Sequence, residues 1–201
     1  MIAILDYDAG NIKSVEKAFL SIGCDTLVTR EYSDIKKADH VVLPGVGSFG
    51  NAMEHLKKYE LDKIIYELID KQVPFLGICL GLQLLFEKSE ESPGVEGLGI
   101  LKGDVVKFPT DMGLKIPHIG WNDLSYPNEG RLFSDIKENS FVYFVHSYYL
   151  KAKDPSVVIA TCDYGVNVHA SVEKDNIFAC QFHPEKSSAV GLQILKNFAN
   201  I

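Results

Sequence analysis

A cysteine framed by two glycines, Gly77-Ile78-Cys79-Leu80-Gly81, is built to carry a nucleophile on a sharp turn from strand to helix. Phe75, Leu76 and Ile78 supply the short buried strand, punctuated by Pro74, and Gly81 to Phe86 opens a helix. Small residues two places on each side of the cysteine let the backbone turn abruptly there. The N-terminal dipole of a following helix favours a thiolate at that point. Taken alone, the five residues fit equally well a buried structural cysteine in an apolar strand. The balance shifts with His183-Pro184-Glu185, which follows another apolar run, Ile177 to Phe182. A base delivered at the carboxyl end of a strand shares one edge of a parallel sheet with the cysteine turn. Glu185, two residues on, can fix the imidazole tautomer and stabilise the imidazolium formed when His183 takes the thiol proton.

Acyl transfer also needs N–H groups aimed at the carbonyl oxygen on which charge develops. The N–H of Leu80 is one candidate. The second comes from Val46 or Gly47, in the loop Pro44-Gly45-Val46-Gly47-Ser48-Phe49-Gly50 after the strand Val41 to Leu43. That loop also matches Gly-x-Gly-x-x-Gly, but a dinucleotide site needs an acid at the tip of the next strand. Asp70 falls instead near the end of a helical stretch, and no Gly-Lys-Ser/Thr follows. Neither nucleotide reading holds.

Together Pro44-Gly45-Val46-Gly47, Gly77-Ile78-Cys79-Leu80-Gly81 and Gln181-Phe182-His183-Pro184-Glu185 resemble the class I, triad-type glutamine amidotransferases. Within them the chain is most similar to the glutaminase subunits of imidazole glycerol phosphate synthases. That narrower likeness rests on the whole Pro44–Gly50 loop, Pro117 to Asn122, Tyr143 to Tyr148 and Lys186-Ser187-Ser188, and it runs the length of the chain. The resemblance implies hydrolysis of glutamine by Cys79, His183 and Glu185. It also implies a grip on glutamine's amino-acid end by Gln83, Glu91 and the backbone of Ser147 and Tyr148, beside Gly47. The implied partner is a (β/α)8-barrel synthase subunit that consumes the ammonia, in a heterodimer of histidine biosynthesis. No metal or cofactor is implied. Asn11, Trp121 and Lys186 are the interface candidates, with Trp121 in a Gly-Trp-Asn turn serving either as an anchor or as core packing. His118 and His146 read as structural. A sister amidotransferase serving another acceptor and a non-catalytic module on the same fold are the alternative readings.

These groups need a scaffold, and the chain describes one. Residues 2–5, about 26–28, 41–43 and 75–78 read as core strands, with a helix at about 12–22 and helical material from about 49 to 71. This βα alternation predicts an open, mostly parallel α/β sheet with helices on both faces. From about residue 98 short β-rich runs separated by Gly, Pro, Asn and Asp predict an added antiparallel layer, before a closing helix at 191–200. The 201 residues fit one domain, which at this size buries roughly 70% of its unfolded surface. A net charge of −7 argues against nucleic-acid and anionic-membrane surfaces. Four cysteines without metal-type spacing, and an opening strand in place of a basic-then-apolar leader, point to the cytoplasm.

Overall fold

A computed structural model describes residues 1–201. The first half alternates as its apolar pattern requires: β1 (Ile2–Leu5), α1 (Ile12–Ser21), β2 (Thr26–Thr29), a short α2 (Tyr32–Ile35) and β3 (His40–Leu43). Two helices follow, α3 (Phe49–Lys58) and α4 (Leu61–Asp70), then β4 (Phe75–Ile78) and the five-residue α5 (Leu80–Leu84). The second half is mostly strand: β5 (Lys88–Ser89), β6 (Gly103–Lys107), β7 (His118–Asp123), β8 (Phe141–His146) and β9 (Tyr148–Ala152). It ends with β10 (Val158–Asp163), β11 (Asn167–Lys174), β12 (Ile177–Cys180) and α6 (Ser188–Ala199).

Seven strands form the central sheet in the order β10-β11-β12-β4-β3-β1-β2. The five from β12 to β2 are parallel. The remaining strands divide: β10 and β11 extend this sheet antiparallel at one edge, while β5-β6-β9 and β7-β8 form two small separate sheets, antiparallel except for the parallel β5–β6 pair. Side chains of the buried strands alternate between two cores. Ile2, Ile4, Val42, Leu76, Ile78 and Phe178 meet α1 and α6 through Val15, Phe19, Ile194, Leu195 and Phe198. On the other face Ala3, Leu5, Val41, Leu43, Phe75 and Ala179 meet Met53, Leu56, Ile65 and Leu82 of α3, α4 and α5. The expected helical stretch from 49 to 71 is therefore two helices, broken where Glu60 takes a left-handed φ of 55°. No helix is long and apolar enough to cross a membrane.

For function the decisive point is the order β12-β4-β3-β1. Four neighbouring parallel strands end on one edge, and the loop after each carries one part of the candidate site.

Candidate active site

The turn after β4 shows why glycine flanks the cysteine. A Cβ on Gly81 would lie 1.9 Å from the Leu43 carbonyl oxygen, and one on Gly77 would lie 2.7 Å from that of Gly81. Only bare backbone lets β4, the first turn of α5 and the end of β3 pack this closely. Cys79 itself sits at φ 54°, ψ −105°, a conformation side chains rarely adopt. Its sulfur is nearly buried.

After β12 the chain turns through Pro184–Lys186 and presents His183. Backbone bonds fix that turn to β8: His183 N–H donates to Tyr143 O at 2.9 Å, and Ser187 Oγ joins His183 O to Tyr143 N. Glu185 Oε1 accepts from His183 Nδ1 at 2.7 Å. Nδ1 therefore carries the proton, and Nε2, which has no hydrogen-bond partner in the structure, is the nitrogen free to meet the Cys79 sulfur. Burial pulls the His183 pKa down, but Cys79 and Glu185 outweigh it and raise it to about 9, which favours the imidazolium once Nε2 has taken the thiol proton.

Asn11, an interface candidate in the sequence, makes a bond within the chain. Its side chain is half-buried and donates to Glu185 Oε1 at 2.6 Å. It stands at the N-cap of α1 in a left-handed conformation and makes no side-chain cap bond, since its amide is committed to the acid. The contact orients the Glu185 carboxylate from the loop after β1. Trp121 is 51% exposed, so core packing is not its role, and Lys186 is exposed.

A cavity of about 310 Å³ opens beside the sulfur. Cys79, Leu80, Val46 and Gly47 line one side. Gln83, Glu91, Ser147 and Tyr148 line the rest, together with His146, Pro117 and Val145. Eight residues singled out in the sequence thus share one space. Some of their bonds are already spent. Glu91 Oε2 accepts from Phe49 N–H at 2.7 Å, which caps α3. The Ser147 carbonyl accepts from Phe108 N–H. Leu80 N–H donates to Gly45 O at 3.3 Å, so the first expected oxyanion donor is occupied.

Sequence reasoning missed how His118 and His146 are used. Both are buried, with rings packed among Phe108, Phe144 and Tyr164. His146 Nδ1 donates to Tyr148 O at 2.8 Å, leaving Nε2 to accept from His118 Nδ1 at 3.0 Å. The pair is neutral: burial lowers the pKa of His118 to about 4 and that of His146 to about 3. A histidine lowered in the folded state stabilises fully above its unfolded pKa and loses that contribution as pH falls below it. Between pH 7 and pH 5, wild type should lose about 2 kcal/mol more than His146→Gln in urea unfolding. Parallel curves for the two proteins would refute this.

The model of the glutamine amidotransferase class-I family matches residues 3–201. The imidazole glycerol phosphate synthase subunit HisH of Aquifex aeolicus is 50% identical over 196 residues, covering 97% of this chain and 94% of its own. HisH of Thermosynechococcus vestitus is 52% identical over 200 residues, covering 98% and 95%. Among solved structures, one described as a glutamine amidotransferase superposes with a TM-score of 0.76 at 16% identity over 98% of both chains. That last likeness speaks to the fold alone.

Proposed function

Since the chain belongs to the class I glutamine amidotransferase family, we propose that it hydrolyses glutamine to supply ammonia within an imidazole glycerol phosphate synthase of histidine biosynthesis. Relatives named for that subunit match nearly the whole chain at about half identity. What supports the chemistry most is that Cys79, close enough to His183 to raise its pKa, opens onto a cavity with room for one amino acid.

In this reading His183 Nε2 takes the Cys79 proton as the sulfur attacks the carboxamide carbon. The oxyanion rests on Leu80 N–H and an N–H from Val46–Gly47. His183 then returns the proton to the departing nitrogen. Ammonia leaves, and a γ-glutamyl thioester remains until water, deprotonated by His183, releases glutamate. Glu185, steadied by Asn11, keeps the imidazole oriented throughout. Glu91 and Gln83 hold the amino-acid end of the substrate.

Free ammonia in water is protonated and lost as a nucleophile, so a consumer must dock over the cavity. We assign that place to a (β/α)8-barrel synthase subunit. The β7–β8 hairpin offers it an exposed apolar face of Ile119, Trp121 and Phe141, with Tyr143 edge-on to the indole. Lys186 lies at the same sheet edge. Docking also gives Leu80 N–H a reason to be released: a turn of the Gly45–Val46 peptide would withdraw the carbonyl that now occupies it.

Glutaminase rates of the chain alone and with the barrel subunit and its phosphoribosyl substrate test this. One oxyanion donor is worth about 10²–10³ in rate, and activation of that order is expected. Full-speed hydrolysis by the lone chain would remove the gating. Activation only by a barrel of another pathway would reassign the acceptor.

A further inference from the structure

We propose that Gln181 is an additional catalytic residue, its side-chain amide donating to the Cys79 sulfur and stabilising the thiolate. The inference rests on the reading of Cys79 as the nucleophile. Gln181 Nε2 lies 3.7 Å from Cys79 Sγ, within reach for a sulfur acceptor, and Gln181 is fully buried.

Which end of the amide faces the sulfur is fixed by a single backbone carbonyl. Tyr148 O can only accept, and it accepts from His146 Nδ1 and from Gln83 Nε2 at 3.2 Å. Gln83 therefore presents the same NH₂ group to Gln181, at 3.0 Å. Gln181 must meet that donor with its oxygen, which leaves its own NH₂ group for the sulfur. The amide cannot reverse without placing two NH₂ groups against each other in a dry interior.

The position suits both halves of the reaction. When His183 takes the thiol proton, negative charge appears on the sulfur, and a fixed N–H is strongest against a charged acceptor. The charge leaves when the carbon–sulfur bond forms. It returns when water breaks the thioester and the sulfur departs as thiolate. One donor thus favours formation of the attacking group and its later release, while the oxyanion donors act on the other atom of the reacting pair.

The test follows alkylation of the chain by iodoacetamide across pH, with the adduct at residue 79 read by peptide mass. Gln181→Met keeps the volume and removes the donor. It should raise the pH of half-maximal alkylation by about one unit, slowing the reaction about tenfold at pH 7. Gln83→Met leaves Gln181 in place but frees its amide to turn, so a smaller rise is expected. It also provides the readout should the buried Gln181→Met fail to fold. A profile unchanged in the folded variants would overturn the role of Gln181 alone. A wild-type chain with no pH-dependent adduct at Cys79 would overturn the nucleophile itself, and the two failures are distinct.

Discussion

Cys79→Ala is expected to lower glutamine hydrolysis by at least about 10⁴-fold in the activated complex, with partner binding retained. In the proposed reaction the sulfur forms the acyl bond, and it is the one thiol that lines the cavity. His183→Ala should cost nearly as much, because in the proposed reaction His183 is the base that takes the thiol proton. The double variant should be hardly worse than either single one, since the two groups act as a unit. The same position carries a stability test. Glycine is ordinarily less stabilising than alanine by about 0.5–1 kcal/mol. At the strained φ of 54° the order should reverse, with Cys79→Gly melting above Cys79→Ala. Alanine as the more stable variant would mean that the turn stores no strain. A Cys79→Ala enzyme retaining one tenth of wild-type activity would end the triad reading.

Gly81→Ala is expected to destabilise the chain by at least about 3 kcal/mol, beyond ordinary overpacking, because the new methyl meets backbone. Its Cβ would lie 1.9 Å from Leu43 O, and Leu43 belongs to β3, fixed by its pairing with β4 in the central sheet. Relief must come from shifting α5 off the end of β3, which moves Cys79 and Leu80 together. Any folded fraction should therefore also lose activity. Gly94→Ala provides the contrast. That glycine has a φ of 83° but no atom within 4 Å of a new Cβ, so only strain of about 1 kcal/mol is expected. Thermal or urea unfolding of the two variants measures the difference. Equal losses would show that the turn tolerates a side chain and that its glycines serve conformation alone.

The parts of the site most legible in the sequence lie at the ends of strands. Buried parallel strands write themselves as unbroken apolar runs, so β1, β3, β4 and β12 stand out, and a motif following such a run falls on one sheet edge. That logic brought Cys79, His183 and the Pro44–Gly50 loop together without any knowledge of distance. What escaped depends on partners remote in the chain. The break between α3 and α4 carries no glycine or proline, because Glu60 itself adopts the left-handed conformation. Trp121 reads as part of a turn, yet β7 runs straight through it, paired residue by residue with β8. Asn11 stands in the sequence as an interface candidate, and its bond to Glu185 emerges only when the loops after β1 and β12 are placed side by side. Gln181 sits two residues before the base, in a run that reads as plain core. Only the Tyr148 carbonyl, supplied by a different sheet, turns its amide toward the sulfur.

The bond from Leu80 N–H to Gly45 O divides electrophiles into two kinds. Displacement at a saturated carbon sends its electrons onto a departing halide and asks nothing of the oxyanion pocket, so the resting chain should undergo it readily. Addition to an amide piles charge on oxygen and must wait until Gly45 withdraws. On the proposed gating, a haloacetamide would label the lone chain and the assembled enzyme at similar speeds, while turnover would separate them by orders of magnitude, the sulfur being armed before its own substrate can react.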